Sequence, residues 1–282
     1  MAVLEPASAS AIFAAPQIVG ILNVTPDSFS DGGDFAQLDK AVGHAQQMVA
    51  AGASIIDVGG ESARPGAVVV SAQVQIARVV PVIDKLRSVI AADIRISIDA
   101  RDPEVAARAL QAGASIINDI SGGQNQEMLD LAATTDAAII LMHMQGSPET
   151  MQQIPHYVDV VAEIIEFLSR QAAKALSAGV PPDKVVVDPG IGFGKSRQHN
   201  LQLLRRLREI VDLGYPVMLG TSRKRFMGAI CQETEFKELV GATCATTALG
   251  VYAGVKLFRV HDIRENRQAM EVALATLPDP VN

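Results

Sequence analysis

The run Ala-Gly-Ala-Ser-Ile-Ile occurs twice, as AGASIIDV over residues 51–58 and as AGASIIND over residues 112–119. In each copy a helical pattern stops at a glycine and a short β-branched run begins directly after it. A helix-stop-strand unit used more than once is how parallel α/β folds are assembled, because each helix covers the sheet it has just left. Strand-length apolar runs fall at 18–23, 54–58, 95–99, 115–118, 138–142, 184–187, 216–219 and 257–260. Helical periodicity separates them, including 38–51, 71–90, 103–111, 158–177 and 201–211. Eight strands alternating with helices over about 250 residues predict a single (β/α)8 TIM barrel, with its active site at the C-terminal ends of the strands, rather than a doubly wound sheet. No low-complexity linker divides the chain. The expectation is an N-terminal extension over 1–16 and one barrel domain over 17–278.

With 282 residues, 49% of them hydrophobic, the chain can bury a large core. A net charge of −7 argues against a general nucleic-acid binder, which needs a basic surface. The uncharged stretch 239–255 is too short for a membrane span and rich in threonine and glycine, so it reads as a buried small-residue helix. The same segment, 238–254, is the candidate face for a homodimer. No basic residue precedes Lys40 and Glu5 interrupts the first apolar run, so a secretory start is not expected and the cytoplasm is. Cys231 and Cys244 lack C-x-x-C spacing and are expected to be buried core thiols.

The segment VVVDPGIGFGKS, 185–196, looks like a strand breaking into a phosphate loop. A P-loop requires glycine where Pro189 stands, and a dinucleotide fingerprint requires a spacing that Gly190, Gly192 and Gly194 do not have. The loop therefore serves another purpose, and the ends of the other predicted strands indicate which. They carry Asn23, Asp57, Asp99, Asn118 with Asp119, LMHM, Asp188, GTSRK and RVHD. Any one of these can be a helix cap, as Asp102 before Pro103 is expected to be. Asp99 and Asp188 end apolar strands, where an unpaired carboxylate is costly, so they call for a ligand or a cation. Arg259 and His261 alternate along strand eight and share a face, at the position where barrels commonly hold phosphate. The adjacent cations Arg223, Lys224 and Arg225 are expected to focus an anionic ligand. Lys195 reads as a surface lysine, His44, His156 and His199 as structural, and His143 as a residue beside the site.

Together the segments GILNVTPDSFSDGG, IIDVGGESARPG, INDISGG, LMHMQG, DPGIGFGK, GTSRK and RVHD resemble the dihydropteroate synthases, in order and over about 17–270. The resemblance implies a pterin-binding barrel that joins 4-aminobenzoate to 6-hydroxymethyl-7,8-dihydropterin pyrophosphate, with Mg²⁺, giving 7,8-dihydropteroate and pyrophosphate for folate biosynthesis. Carried over by position, it implies that Asp99, Asn118, Asp188 and Lys224 hold the pterin against Ile120 and Met142. Asn23, Arg64, Arg259 and His261 would bind pyrophosphate, with Asn23 and Asp31 at the metal. Phe29, Pro65, Phe193, Ser222 and Lys224 would form the 4-aminobenzoate site. The implied reaction is dissociative, with Asp99 and Asp188 stabilising a pterin cation while Arg259 and His261 stabilise the departing anion and Lys224 faces the ring.

Ala63 and Ala100 stand where threonine is usual in the family, and Arg225 is a further departure; the loss of a hydroxyl at position 63 is expected to weaken pyrophosphate binding. Two other readings compete. A pterin-barrel methyltransferase would share the aspartates and the asparagine but has no use for the RVH pair and Arg64, and a non-catalytic pterin-binding homologue would have no need of the intact polar set.

Overall fold

Alternation of buried β-branched runs and amphipathic helices produces eight parallel strands, each followed by helix. The computed structural model describes residues 12–25, 34–62, 69–146 and 155–278. The strands are β1 (Gln17–Asn23), β2 (Ile55–Gly59), β3 (Arg95–Asp99), β4 (Ile116–Asp119), β5 (Ala138–Met142), β6 (Val185–Asp188), β7 (Met218–Leu219) and β8 (Leu257–Val260). Between and after them run α1 (Asp34–Ala51), α2 (Ala72–Val89), α3 (Pro103–Gln111), α4 (Gln126–Thr135), α5 (Val160–Ser177), α6 (Arg197–Arg205), α7 (Leu207–Val211), α8 (Arg225–Cys231), α9 (Val240–Ala253) and α10 (Ile263–Ala275). The strand order β6-β5-β4-β3-β2-β1-β8-β7 wraps round on itself, and an isolated bridge from Val187 to Val217 links the two ends of the sheet. This is the expected TIM barrel, nearly closed.

Sequence-predicted helix starts hold where a cap supplies them: Ser71 accepts from the N–H of Val74 ahead of α2, and Asp102 from that of Glu104 ahead of α3. The helix expected at 201–211 is two helices. Arg206 leaves helical geometry between them, and its guanidinium bonds both Asp159 oxygens at 2.9 Å while also gripping Glu209. Strand seven is shorter than expected, because Val217 makes only its single bridge. Strand six begins one residue late, since Pro182–Lys184 is a turn of 3₁₀ helix.

Two apolar layers result. Outward strand residues such as Ile56, Ile98, Ile117 and Val187 pack under the helices. Inward residues, among them Val19, Ile55, Ile116, Ile140, Val186 and Leu257, fill the barrel and close over Phe13. Phe13 precedes the expected start of the barrel and is nonetheless fully buried in it. The expectation for the cysteines is corrected: Cys231 ends α8 exposed and Cys244 is half-buried, because the small residues of α9 pack on only one side. Among the described residues no helix is long and apolar enough to cross a membrane.

Candidate active site

Strand register places the polar residues. Asn23 pairs with Gly59, Gly59 with Asp99 and Asp99 with Asn118, so one row across four strands carries an amide, a gap, a carboxylate and an amide at the barrel mouth. Gly59 keeps the gap: a Cβ there would lie 3.5 Å from Asn23 Oδ1 and 3.8 Å from Asp99 Oδ2. Gly220 makes a second gap, with Arg259 Cβ and Asp188 Oδ2 flanking the place its side chain would take, at 3.9 and 4.0 Å.

Asp57, one inward position below Gly59, organises the row from beneath. Its Oδ2 accepts from Asn118 Nδ2 at 3.0 Å and from Arg259 Nε at 2.6 Å. Arg259 Nη2 also donates to Asp99 Oδ2 at 2.8 Å. Burial works against the Arg259 cation, but Asp57 and Asp99 outweigh it and hold its pKa above the ordinary guanidinium value. Burial, opposed by Arg259 and aided by Asp57, pushes Asp99 up to about 7. Asn118 Oδ1 and Asp57 Oδ1 are buried with no hydrogen-bond partner among the described residues. Such acceptors are expensive unless a ligand or water fills them.

On the other side of the mouth, Asp188 ends β6 and accepts from the Gly190 N–H at 2.6 Å. Burial raises its pKa to about 6, against the pull of that N–H and of Lys224, Lys195 and Arg259. The Lys224 ammonium lies 4.0 Å from the centre of the Phe193 ring, within cation–π range. Burial and Arg259 bring its pKa down to about 8. Ser222 Oγ bonds His261 Nδ1 at 2.9 Å and accepts from the His261 N–H at 3.2 Å. Met142, beside Asp188 in register, and Ile120 supply the buried apolar wall.

The fold thus brings together Asn23, Asp99, Asn118, Ile120, Met142, Asp188, Phe193, Ser222, Lys224, Arg259 and His261. Phe29, Asp31, Arg64 and Pro65 lie outside the described residues, as does Ala63. Asp119 is taken up by its own turn, accepting from Ser121 and Gly123, and Ala100 is buried. His199 completes the capping box of α6, a structural role.

The expected cation triplet is reduced to one member: Arg223 pairs with Asp262 and Arg225 is exposed on α8. Lys195 is not a surface lysine either. It is 3% exposed, its ammonium bonded to His143 and to the Phe193 carbonyl. Asp57 has a role that its strand-end position alone does not assign; its place two before Gly59, hence on the same strand face, is the available signal.

This constellation has close counterparts. The model of the pterin binding enzyme family matches residues 19–261. The dihydropteroate synthase of Synechocystis is 47% identical over 257 residues, 91% of this chain and 88% of that protein. This chain belongs to the dihydropteroate synthase family. A Clostridium difficile dihydropteroate synthase structure, determined in the presence of pteroic acid, superposes with a TM-score of 0.87 at 44% identity, covering 93% of this chain and 97% of the other. A dihydropteroate synthase structure from Thermus thermophilus in complex with 6HMPPP gives 0.81 at 40% identity, with coverage of 94% and 96%. As a member of the dihydropteroate synthase family the chain is a pterin-binding transferase.

Proposed function

We propose that this chain condenses 6-hydroxymethyl-7,8-dihydropterin pyrophosphate with 4-aminobenzoate, releasing pyrophosphate and 7,8-dihydropteroate, by early cleavage of the C–O bond. The observation that carries the reading is the meeting of two carboxylates at one mouth, Asp99 paired with Arg259 and the buried Asp188 near it. A pterin edge offers adjacent N–H donors, which an ionised Asp188 accepts in a charge-assisted pair. The unpartnered Asn118 Oδ1 suits a further ring N–H, and Lys224 faces a ring oxygen.

When the C–O bond breaks, its electron pair leaves with pyrophosphate and positive charge spreads over the pterin. Asp99 and Asp188 stabilise that charge, and their burial makes the effect larger than it would be in water. Arg259 and His261 receive the anion; Arg259 has three further N–H groups beyond those given to Asp57 and Asp99. The arylamine nitrogen then attacks the exocyclic carbon, forming the C–N bond, and its extra proton passes to solvent water. Phe193 and Lys224 form one wall of the amine's site, and Ser222 joins that wall to the anion site through His261.

A magnesium ion suits the donors present. Asn23 places an amide oxygen beside the Gly59 gap, and among the described residues no set of three or more His, Cys, Asp or Glu side chains forms a cage. A hard cation that takes one or two protein oxygens and completes its shell with phosphate and water fits such a site. Asn23 would hold it, and when bound it supplies charge neutralisation to the leaving pyrophosphate. A homodimer through α9 and α10 belongs to the same reading: Leu249, Tyr252 and Val272 are large apolar side chains exposed together there.

Pyrophosphate release from the purified protein, with each substrate alone and with both, tests the activity. Release is expected only with both, and Asp188→Asn is expected to lower kcat/KM by roughly 10²–10³. An inactive wild type, or an Asn variant within about threefold of it, would sink the reading.

A further inference from the structure

Lys195 is the one buried lysine among the described residues, and nothing in the reaction above uses it. Its three ammonium protons meet three acceptors: His143 Nδ1 at 3.0 Å, the Phe193 carbonyl at 2.9 Å and the His143 carbonyl at 3.3 Å. Burial brings the Lys195 pKa down to about 7 against the pull of Asp188; in its protonated form the amine only donates, so the imidazole then accepts at Nδ1 and carries its proton on Nε2. Burial first, and the Lys195 charge second, push His143 down to about 3, which keeps it a neutral acceptor. The ring is held edge-on against Phe167, with centroids 4.9 Å apart.

These bonds join the β6–α6 loop to the end of β5, where backbone also packs closely on backbone. Gly190 and Gly194 both have left-handed φ, +65° and +62°; a Cβ on the first would run into the His143 carbonyl oxygen, and one on the second into that of Gln145. Tyr157 Oη adds one bond, to the Gly194 carbonyl at 2.8 Å. A segment with glycine at every second position loses much conformational entropy on ordering and needs such ties. What the ties position is Phe193, whose carbonyl bonds Lys195 and whose ring lies beneath the Lys224 ammonium.

We propose that Lys195 is a positioning residue for the second substrate: with His143 it pins the β6–α6 loop to the end of β5, and so fixes Phe193 at the wall of the arylamine site. The pterin edge is read by Asp188 and Asn118, which sit on strands and stay in place without the pin; the Lys195 charge helps to hold Asp188 ionised, but the Gly190 N–H, Lys224 and Arg259 do so without it. This rests on the reaction proposed above, and wild-type turnover is measured first so that the two can fail separately.

Lys195→Met keeps the aliphatic stem and removes the donors. The expected result is a KM for 4-aminobenzoate raised ~10-fold or more, with the KM for the pterin pyrophosphate within ~2-fold of wild type. His143→Leu is expected to reproduce this split. His143→Asn, whose amide oxygen can accept where Nδ1 does, is expected to recover most of the loss. The double variant Lys195→Met with His143→Leu is expected to be no worse than Lys195→Met alone, the mark of one shared interaction. If Lys195→Met does not fold, the two His143 variants carry the test. Equal rises in both KM values, no rise in either, additive losses, or no recovery in His143→Asn would each overturn the proposal. An inactive wild type would overturn the reaction, and this inference with it.

Discussion

A carboxylate as deeply buried as Asp188, with one backbone N–H bonded to it, is ionised at neutral pH against the cost of its own burial. Its pKa of about 6 in the folded chain lies above the ordinary carboxylate value of 3.8. Below the ordinary value the acid is neutral in both folded and unfolded chains and contributes nothing. Between 3.8 and 6 the unfolded chain ionises while the folded chain keeps its proton, so stability falls across that window by about 1–3 kcal/mol and stays lower above 6. Asp188→Asn, whose Oδ1 can keep the Gly190 bond, should therefore raise the melting temperature at pH 8 and leave it unchanged at pH 4. An equal shift at both pH values, or a loss at pH 8, would refute this. The same titration, with that of Asp99 near 7, should appear in catalysis as an acid limb of kcat/KM between about pH 6 and 7, because only ionised Asp188 accepts two pterin N–H groups and only ionised Asp99 stabilises the cation. A further limb near 8 should follow Lys224 as it loses its proton. Asp99 and Asp188 were legible in the sequence because a carboxylate ending an apolar strand is costly without a ligand or cation, whereas Asn118 was legible only through the family resemblance. Lys195 was not, because its burial depends on the path of a glycine loop against a neighbouring strand end.

At the scale of elements, the β6–α6 loop and α1 respond oppositely to the same substitution. Gly190→Ala forces a left-handed φ on alanine and drives its methyl into the His143 carbonyl. A loss of about 2–4 kcal/mol in urea unfolding is expected, with strain and steric clash as the causes. Gly43 lies inside α1, with nothing within 4 Å of the place a methyl group would take. Gly43→Ala should stabilise by about 0.5–1 kcal/mol, since alanine loses less backbone freedom in a helix. Equal effects at the two glycines would mean that neither contact geometry nor φ governs them. Strands and helices with local signals were readable within a residue or two, as at β3, β5, α3 and β8. The break between α6 and α7 was not: the 3.6-residue period runs through it, and the cause is a tertiary one, Arg206 reaching to Asp159 at the start of α5.

At the scale of the whole molecule, alternation of period two separates an inner apolar plug from an outer helical layer, and the eightfold repeat alone implied that both exist. It did not reveal that Phe13 completes the inner one, since a single aromatic before the first strand carries no periodic signal. Among the described residues the outer layer leaves an apolar patch uncovered at α9 and α10. Leu249 and Tyr252 on α9 and Val272 on α10 are each more than half exposed, and Tyr252 Oη bonds Thr276 Oγ1 at 2.6 Å, tying the two helices into one surface. A second copy of this chain would cover the patch with its own equivalent, the self-complementary arrangement of a twofold dimer. Sedimentation at micromolar concentration should then give twice the 29.8 kDa chain mass. Leu249→Glu would place one carboxylate from each copy in an apolar interface, a change of several kcal/mol that should return the protein to monomers. Because every described site residue comes from one barrel mouth and Leu249, Tyr252 and Val272 are not among them, the monomeric variant should retain turnover per chain. A wild type that sediments as a monomer, or a Leu249→Glu variant that remains dimeric, would show that this face is not the interface.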